Sequence, residues 1–454
     1  MWLLTHTQRN TMKKASYIFN LLRQLLNSEE LLTASRLASE SFSRNRVLNF
    51  RVVVLFILNL LKNSIPKEID SFCDYCKLKE VSRSAVTQAR SKLSPYVFVK
   101  LNNLLIKEFY TDNKIKTLYG LNIFAVDGSM IELPSSLSLL EKYGEATNQT
   151  DSKTPMARIS KLFDPLNGIT LDSIIAPYKT SEREMAIQHF NKIRENGIDT
   201  INSLVLFDRG YPSLALMVYL LKHNVEFIMR CSSQFLKEVN LVAHSKKKDV
   251  VINLSLRRAT HAAKAELKEL FTDLDFNENI TFRVVVITLS SGEKEVLVTS
   301  LLDKKRYPYK IFIKLYFNRW GIEEGYKFLK VGVEVENFSG ISCHAVEQDF
   351  HASVLAANAR ALLALEATEE IMQEVENSDK PNIRKYRYSI NKKVSMEKFK
   401  DSFVEMLLNV DQDIEEFCIK TKKQMKRHLC PIRPGRSFRR VRKHPNRKFH
   451  MNQR

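Results

Sequence analysis

The chain has 454 residues, 44% hydrophobic and 27% charged, enough for two to four domains around a large core. Its 71 basic against 51 acidic residues leave a net charge of +20, which points to a polyanionic partner, nucleic acid first. Six unevenly spaced cysteines exclude a disulfide framework, and the longest apolar run, Val52–Leu61, is too short to cross a bilayer.

The N-terminus carries no secretory pattern, so an intracellular, reduced, cytoplasmic chain without a membrane partner is expected. The first eleven residues lack helical periodicity, and Met12 is an alternative start. Residues 1–115 read as all-helical, with Val52–Leu61 as a buried helix. Ser64 and Ser82 stand as N-caps of two short helices joined by a turn. As a helix-turn-helix, the second would offer Arg83, Thr87, Gln88 and Arg90 to a groove. An ordinary helical pair fits equally. Cys73 and Cys76 make one C-x-x-C with no second pair, so zinc is not expected.

From about residue 117 the period changes to that of strands. "LNIFAVDGS" is an apolar run ending at Asp127. "ARISKLFD" and "GITLDSIIAP" form a hairpin around "PLNG". "SEREMAIQHFNKIREN" is a helix capped by Ser181. "SLVLFDRGY" is a second apolar run ending at Asp208, followed by a helix and the strand "VEFIMR". This order predicts a mixed sheet with helices on its faces over 116–232. Residues 233–305 read as an inserted antiparallel β unit, 306–375 as the second part of the core, and 376–454 as a helical region and basic tail. From Thr421 to Arg454 there are 13 Lys and Arg and no Asp or Glu, which reads as a phosphate-gripping arm or a solubilising tail.

After the insertion comes "LYFNRWGIEEGYKFLKVGVEVENFSG". On one ideal helix, Tyr316, Arg319, Glu323 and Lys330 share an arc of about 60°. An apolar stripe of Ile311, Leu315, Ile322, Tyr326 and Leu329 lies beside it. Gly321 and Gly325 each cost about 1 kcal/mol in a helix interior, which predicts that a DNA strand or a packed backbone comes close there. Asp127, Asp208 and Glu323 are three carboxylates at positions suited to hard cations such as Mg²⁺. Two such ions about 4 Å apart serve in-line phosphoryl displacement, with Arg319 and Lys330 facing a nucleic-acid backbone. Tyr316 would bond a phosphate or stack on an unpaired base.

"VDGS", "DRGY" and the Tyr316-x2-Arg319-x3-Glu323-x6-Lys330 spacing resemble the bacterial insertion-sequence transposases of the DDE type, as do "RISKLFDPLNGITLD" and "SERE". The resemblance spans roughly residues 60–350. It implies an α/β, RNase H-like mixed sheet flanked by helices and interrupted by a β insertion, with an N-terminal helical DNA-binding domain. It implies cut-and-paste transposition, often through a DNA hairpin. Asp127, Asp208 and Glu323 would be the catalytic metal ligands for two Mg²⁺, with Mn²⁺ able to substitute. Tyr316, Arg319 and Lys330 would contact terminal DNA phosphates. It assigns Arg209 and Tyr211 no firm role. The implied partners are element-end and target DNA and a second copy in a homodimer, with no small-molecule cofactor and a place at the bacterial nucleoid. The alternative is a catalytically inactive or domesticated DNA-binding protein of the same fold.

Overall fold

In the computed structural model, the structure describes residues 14–433, apart from 45, 61, 112–114, 147–153, 199–201, 290–291 and 377–385. The alternative start and the basic stretch from residue 434 onward lie outside the described residues. Among the described residues no helix is long and apolar enough to cross a membrane. The chain divides into two compact units, one of residues 1–113, 131–157 and 327–454, the other of 114–130 and 158–326.

The first unit is helical. Its axis is the 34-residue helix Cys343–Glu376, packed by the helices Phe50–Leu58, Tyr96–Thr111 and Ile414–Lys426. Phe50–Leu58 is buried at every position but Arg51, as its otherwise apolar sequence dictates. Two helices, Lys392–Leu408 and Ile414–Lys426, make up the helical region read over 376–454. Strand Arg387–Ile390 precedes them and pairs with Leu429–Ile432. The last helix is pinned by cations: Lys422 Nζ is 2.9 Å from both Glu366 and Glu370, and Lys426 Nζ is 2.8 Å from Glu370 and Glu374.

The pair of helices Ile65–Cys76 and Arg83–Arg90 forms as expected. Ser82 accepts from the Ala85 amide, whereas Ser64 caps by backbone alone, with Pro66 in the first turn. Arg83, Thr87 and Gln88 are exposed. Arg90 corrects the sequence reading: it is buried, and its guanidinium bonds Gln348, Ala345 O and Asp349. A side chain so held fixes this helix to Cys343–Glu376 and offers nothing to a groove.

The second unit carries the sheet. Eight strands run β1 Asn122–Glu132, β2 Met156–Asp164, β3 Ile169–Pro177, β4 Ser203–Phe207, β5 Glu226–Cys231, β6 Asp249–Ser255, β7 Asn279–Thr288 and β8 Lys294–Thr299. Their order across the sheet is β3-β2-β1-β4-β5-β8-β7-β6. β1, β4 and β5 are parallel; β8, β7 and β6 are antiparallel to their neighbours. Helices Glu182–Glu195 and Leu214–Lys222 connect the core strands. The fold is thus a mixed α/β sheet flanked by helices, interrupted before the last helix as the RNase H-like expectation required. The inserted strands extend the core sheet, because β8 pairs with β5. The insertion also holds two helices, Lys237–His244 and His261–Leu270. Its interior charge is Arg283, fully buried, which bonds Asp249 at 2.7 and 2.6 Å and the carbonyls of Leu301 and Tyr307.

Candidate active site

Asp127 and Asp208 are brought together by strand pairing. Val126 faces Phe207 in the parallel β1–β4 register, so the two aspartates are the next residues on adjacent strands. Neighbouring strands lie about 4.8 Å apart. Asp208 follows the end of β4, as expected. Asp127 does not end its strand: β1 continues to Glu132 alongside β2 after the pairing with β4 has finished.

The segment read as one helix is three pieces. Helix Phe312–Phe317 stops at a turn over Asn318 and Arg319, helix Trp320–Lys327 follows, and Phe328–Gly332 is a π-helical turn. A π turn spaces residues by i→i+5 rather than i→i+4, so a count of 100° per residue no longer places Lys330 with the other three. Lys330 belongs to the helical unit, where its Nζ is 4.0 Å from Glu336 Oε1. The apolar stripe is borne out, with Ile311, Leu315, Ile322, Tyr326 and Leu329 all buried.

The glycines are explained by packing on the β2–β3 hairpin. A Cβ on Gly321 would lie 2.4 Å from Pro165 Cβ, and one on Gly325 would lie 3.1 Å from the Phe163 ring. The close neighbour is therefore the hairpin, not a DNA strand. It holds the Glu323 helix against the sheet.

Tyr316 and Arg319 are buried, at 4% and 3% exposure, and do not form a solvated face. Tyr316 Oη donates to Phe207 O at 3.3 Å, with Asp208 Oδ1 at 3.5 Å. Arg319 Nη2 donates to Glu323 Oε1 at 3.1 Å, and its Nη1 is 3.9 Å from Asp208 Oδ2. One guanidinium thus addresses the second and third carboxylates. Its Nε and Nη1 are buried without a hydrogen-bond partner among the described residues. Burial works against the Arg319 charge, but Tyr316, Asp208 and Glu323 outweigh it and raise its ionisation. On the other flank Arg230 Nη1 is 3.9 Å from Asp208 Oδ1 and its Nε 3.2 Å from Glu295.

Burial pushes the Asp127 carboxyl up to about 6, against the Gly128 amide, which donates at 2.9 Å, and the Arg319 charge. Glu182 and Asp208 add to the rise by repulsion. The Asp127 carbonyl accepts from Tyr326 at 2.6 Å and from Ser160 at 3.3 Å. Behind Ser160 stands a buried relay: His189 Nε2 is 2.9 Å from Ser160 Oγ, and its Nδ1 is 2.6 Å from Asp172.

Sequence reasoning passed over Glu182, although it lies in the noted "SERE", and Arg230, which carried no signal beyond its strand; Tyr326 was read only as part of the apolar stripe. Among the described residues no three acidic, histidine or cysteine side chains converge closely enough to hold one ion by themselves. The donors that do gather are hard carboxylate oxygens, which suit a divalent cation whose remaining ligands are water and phosphate.

Residues 119–359, just over half of the chain, match the family described as "Transposase DDE domain". The chain is similar to the Escherichia coli K12 protein named "Putative transposase InsZ", 30% identical over 143 residues, covering 31% of this chain and 46% of that relative, just under half its length. A piggyBac transposase synaptic complex with hairpin DNA is a structural neighbour at a TM-score of 0.43 and 10% identity, covering 95% of this chain and 88% of that one. The chain belongs to the family of transposases that carry a DDE domain.

Proposed function

We propose that this chain is an active transposase that cuts DNA at the ends of a mobile element and joins them to a new site by cut-and-paste. Asp127, Asp208 and Glu323 are its catalytic acids and hold divalent ions, Mg²⁺ by preference with Mn²⁺ able to replace it. The observation that carries this is the placement of Asp127 and Asp208 on adjacent parallel strands, with one buried guanidinium addressing both Asp208 and Glu323. When bound, the ions would activate a water or 3′-hydroxyl and stabilise the leaving oxygen. The protein's own contribution is positional. Tyr316 orients the end of β4, Tyr326 and Ser160 fix the Asp127 carbonyl, and the hairpin seats the Glu323 helix. The Nε and Nη1 of Arg319, buried without a hydrogen-bond partner among the described residues, would meet a phosphate oxygen that entered the centre, whereas Tyr316 is committed to Phe207 O and the assignment of Lys330 to DNA rests on the sequence spacing alone. Joining two ends requires two such sites, hence a homodimer on DNA.

The test is strand cleavage of cognate ends in Mg²⁺. Asp127→Asn, Asp208→Asn and Glu323→Gln should each lose on the order of a thousandfold in rate, several kcal/mol of barrier. Wild-type cleavage by Glu323→Gln removes the assignment. A second reading, DNA binding without catalysis, draws on the Arg319 guanidinium lying against Asp208 and Glu323, where a metal would compete. End binding without cleavage in Mg²⁺ or Mn²⁺ would favour it.

A further inference from the structure

The reading above leaves one acid of the centre without a task. Glu182 opens helix Glu182–Glu195, directly after Ser181. A Cβ on Gly128 would lie 2.6 Å from Glu182 Oε1, and one on Gly210 would lie 3.6 Å from its Oε2. The carboxylate is therefore lodged between the backbone that follows Asp127 and the turn that follows Asp208. Glycine at 128 is what lets it in. Arg158 holds it from the other side, Nη1 to Oε1 at 3.0 Å, while its Nε donates to Tyr178 O. The helix N-terminus favours the negative charge.

A separate observation, an unpartnered buried hydroxyl, points to a ligand oxygen here. The Tyr211 hydroxyl is 1% exposed and has no hydrogen-bond partner among the described residues. Burial raises its pKa well above the ordinary value, and the charges of Glu182 and Asp127 add to the rise. A buried hydroxyl is ordinarily paired, and this one is met if a bound oxygen arrives between those acids.

We propose that Glu182 is a fourth acidic residue of the centre, giving its carboxylate to the cation site at Asp127 and Asp208, with the Tyr211 hydroxyl bonding an oxygen held there. This rests on the catalytic reading of Asp127 and Asp208. The three carboxylates come from within β1, from the end of β4 and from a helix start; they do not converge closely enough to hold an ion by themselves, so a cation would have to draw Glu182 off the Arg158 pair that holds it in its absence.

Calorimetric titration of the full chain with Mn²⁺ tests this without any turnover. Glu182→Gln is expected to weaken Mn²⁺ binding by roughly tenfold or more. The rise in Tm that Mn²⁺ produces should shrink accordingly. Asp127→Asn should weaken binding as well. If Glu182→Gln binds Mn²⁺ within about twofold of wild type while Asp127→Asn loses it, the role of Glu182 is overturned and the catalytic reading stands. If neither Asp127→Asn nor Asp208→Asn alters binding, the centre itself is wrongly placed and Glu182 falls with it. A purely structural ion pair would make Glu182→Gln and Arg158→Gln lower Tm alike with Mn²⁺ affinity unchanged, and that too overturns the proposal. Should Glu182→Gln fail to fold, Gly128→Ala displaces the carboxylate without removing it. Weakened Mn²⁺ binding is expected there, and wild-type affinity refutes the role.

Discussion

Gly321→Ala sets two effects of opposite sign against each other. Helix propensity favours alanine by at most about 1 kcal/mol, the interior figure, since Gly321 is the second residue of helix Trp320–Lys327. The added Cβ would lie 2.4 Å from Pro165 Cβ and 3.3 Å from Pro165 Cα, whereas ordinary contact begins near 3.4 Å. The obstacle is a proline ring tied to the backbone of the turn between β2 and β3, so no side-chain rotation can clear it. The helix must retreat by about 1 Å, the difference between 2.4 and 3.4 Å. Overpacking of this kind costs about 1–3 kcal/mol, and the rigid partner places it at the upper end. The net expectation is a loss of about 1–2 kcal/mol. Because the chain has two units, the assay is hydrogen exchange of the β2–β3 and Trp320–Lys327 amides rather than a global melt. Exchange should quicken by about 5–30-fold. Strand cleavage should fall by roughly a hundredfold, since Glu323 is carried off by the same shift. Slower exchange, as expected of a better helix former in open space, would refute the packing argument and return the glycine to a DNA-facing role.

Three further outcomes are expected. Arg283→Met strands Asp249 and two carbonyls inside the sheet, with Lys304 3.2 Å from Asp249 as the remaining cation; a loss of about 3 kcal/mol in the local stability of β6 and β7 should appear by hydrogen exchange. Burial alone would push the Asp172 carboxyl up, but His189 and Lys192 outweigh it and hold it below its ordinary range. A depressed folded-state value stabilises at neutral pH and is lost as pH falls below about 4, so acid unfolding of the sheet unit should be shallower in Asp172→Asn. Deleting residues 434–454 removes eight Lys and Arg and should flatten the dependence of DNA affinity on salt, while an unchanged slope leaves that stretch passive. The cut belongs at 434 and not at 421, because Thr421 and Lys422 are buried in the last helix.

The elements were legible wherever burial follows local period. Alternation marked the β2–β3 hairpin, the apolar run Val52–Leu61 marked a buried helix that the structure places at Phe50–Leu58, and a 3.6 repeat marked the stripe from Ile311 to Leu329. The same reasoning picked Asp127 and Asp208, because an apolar strand followed by an acid is a local pattern. What the period could not carry was every pairing between distant residues. Only the folded chain shows that Pro165 and Phe163 are what Gly321 and Gly325 make room for, and that Arg90 is spent on Asp349. Likewise, only tertiary structure breaks the helix at Asn318 and Arg319, adds the π turn that moves Lys330 out of register, and joins the inserted strands to β5. It also lays Glu182 against Gly128, a contact across 54 positions. Periodicity records which face of a segment is buried; what that face meets depends on chain closure, which no local window contains.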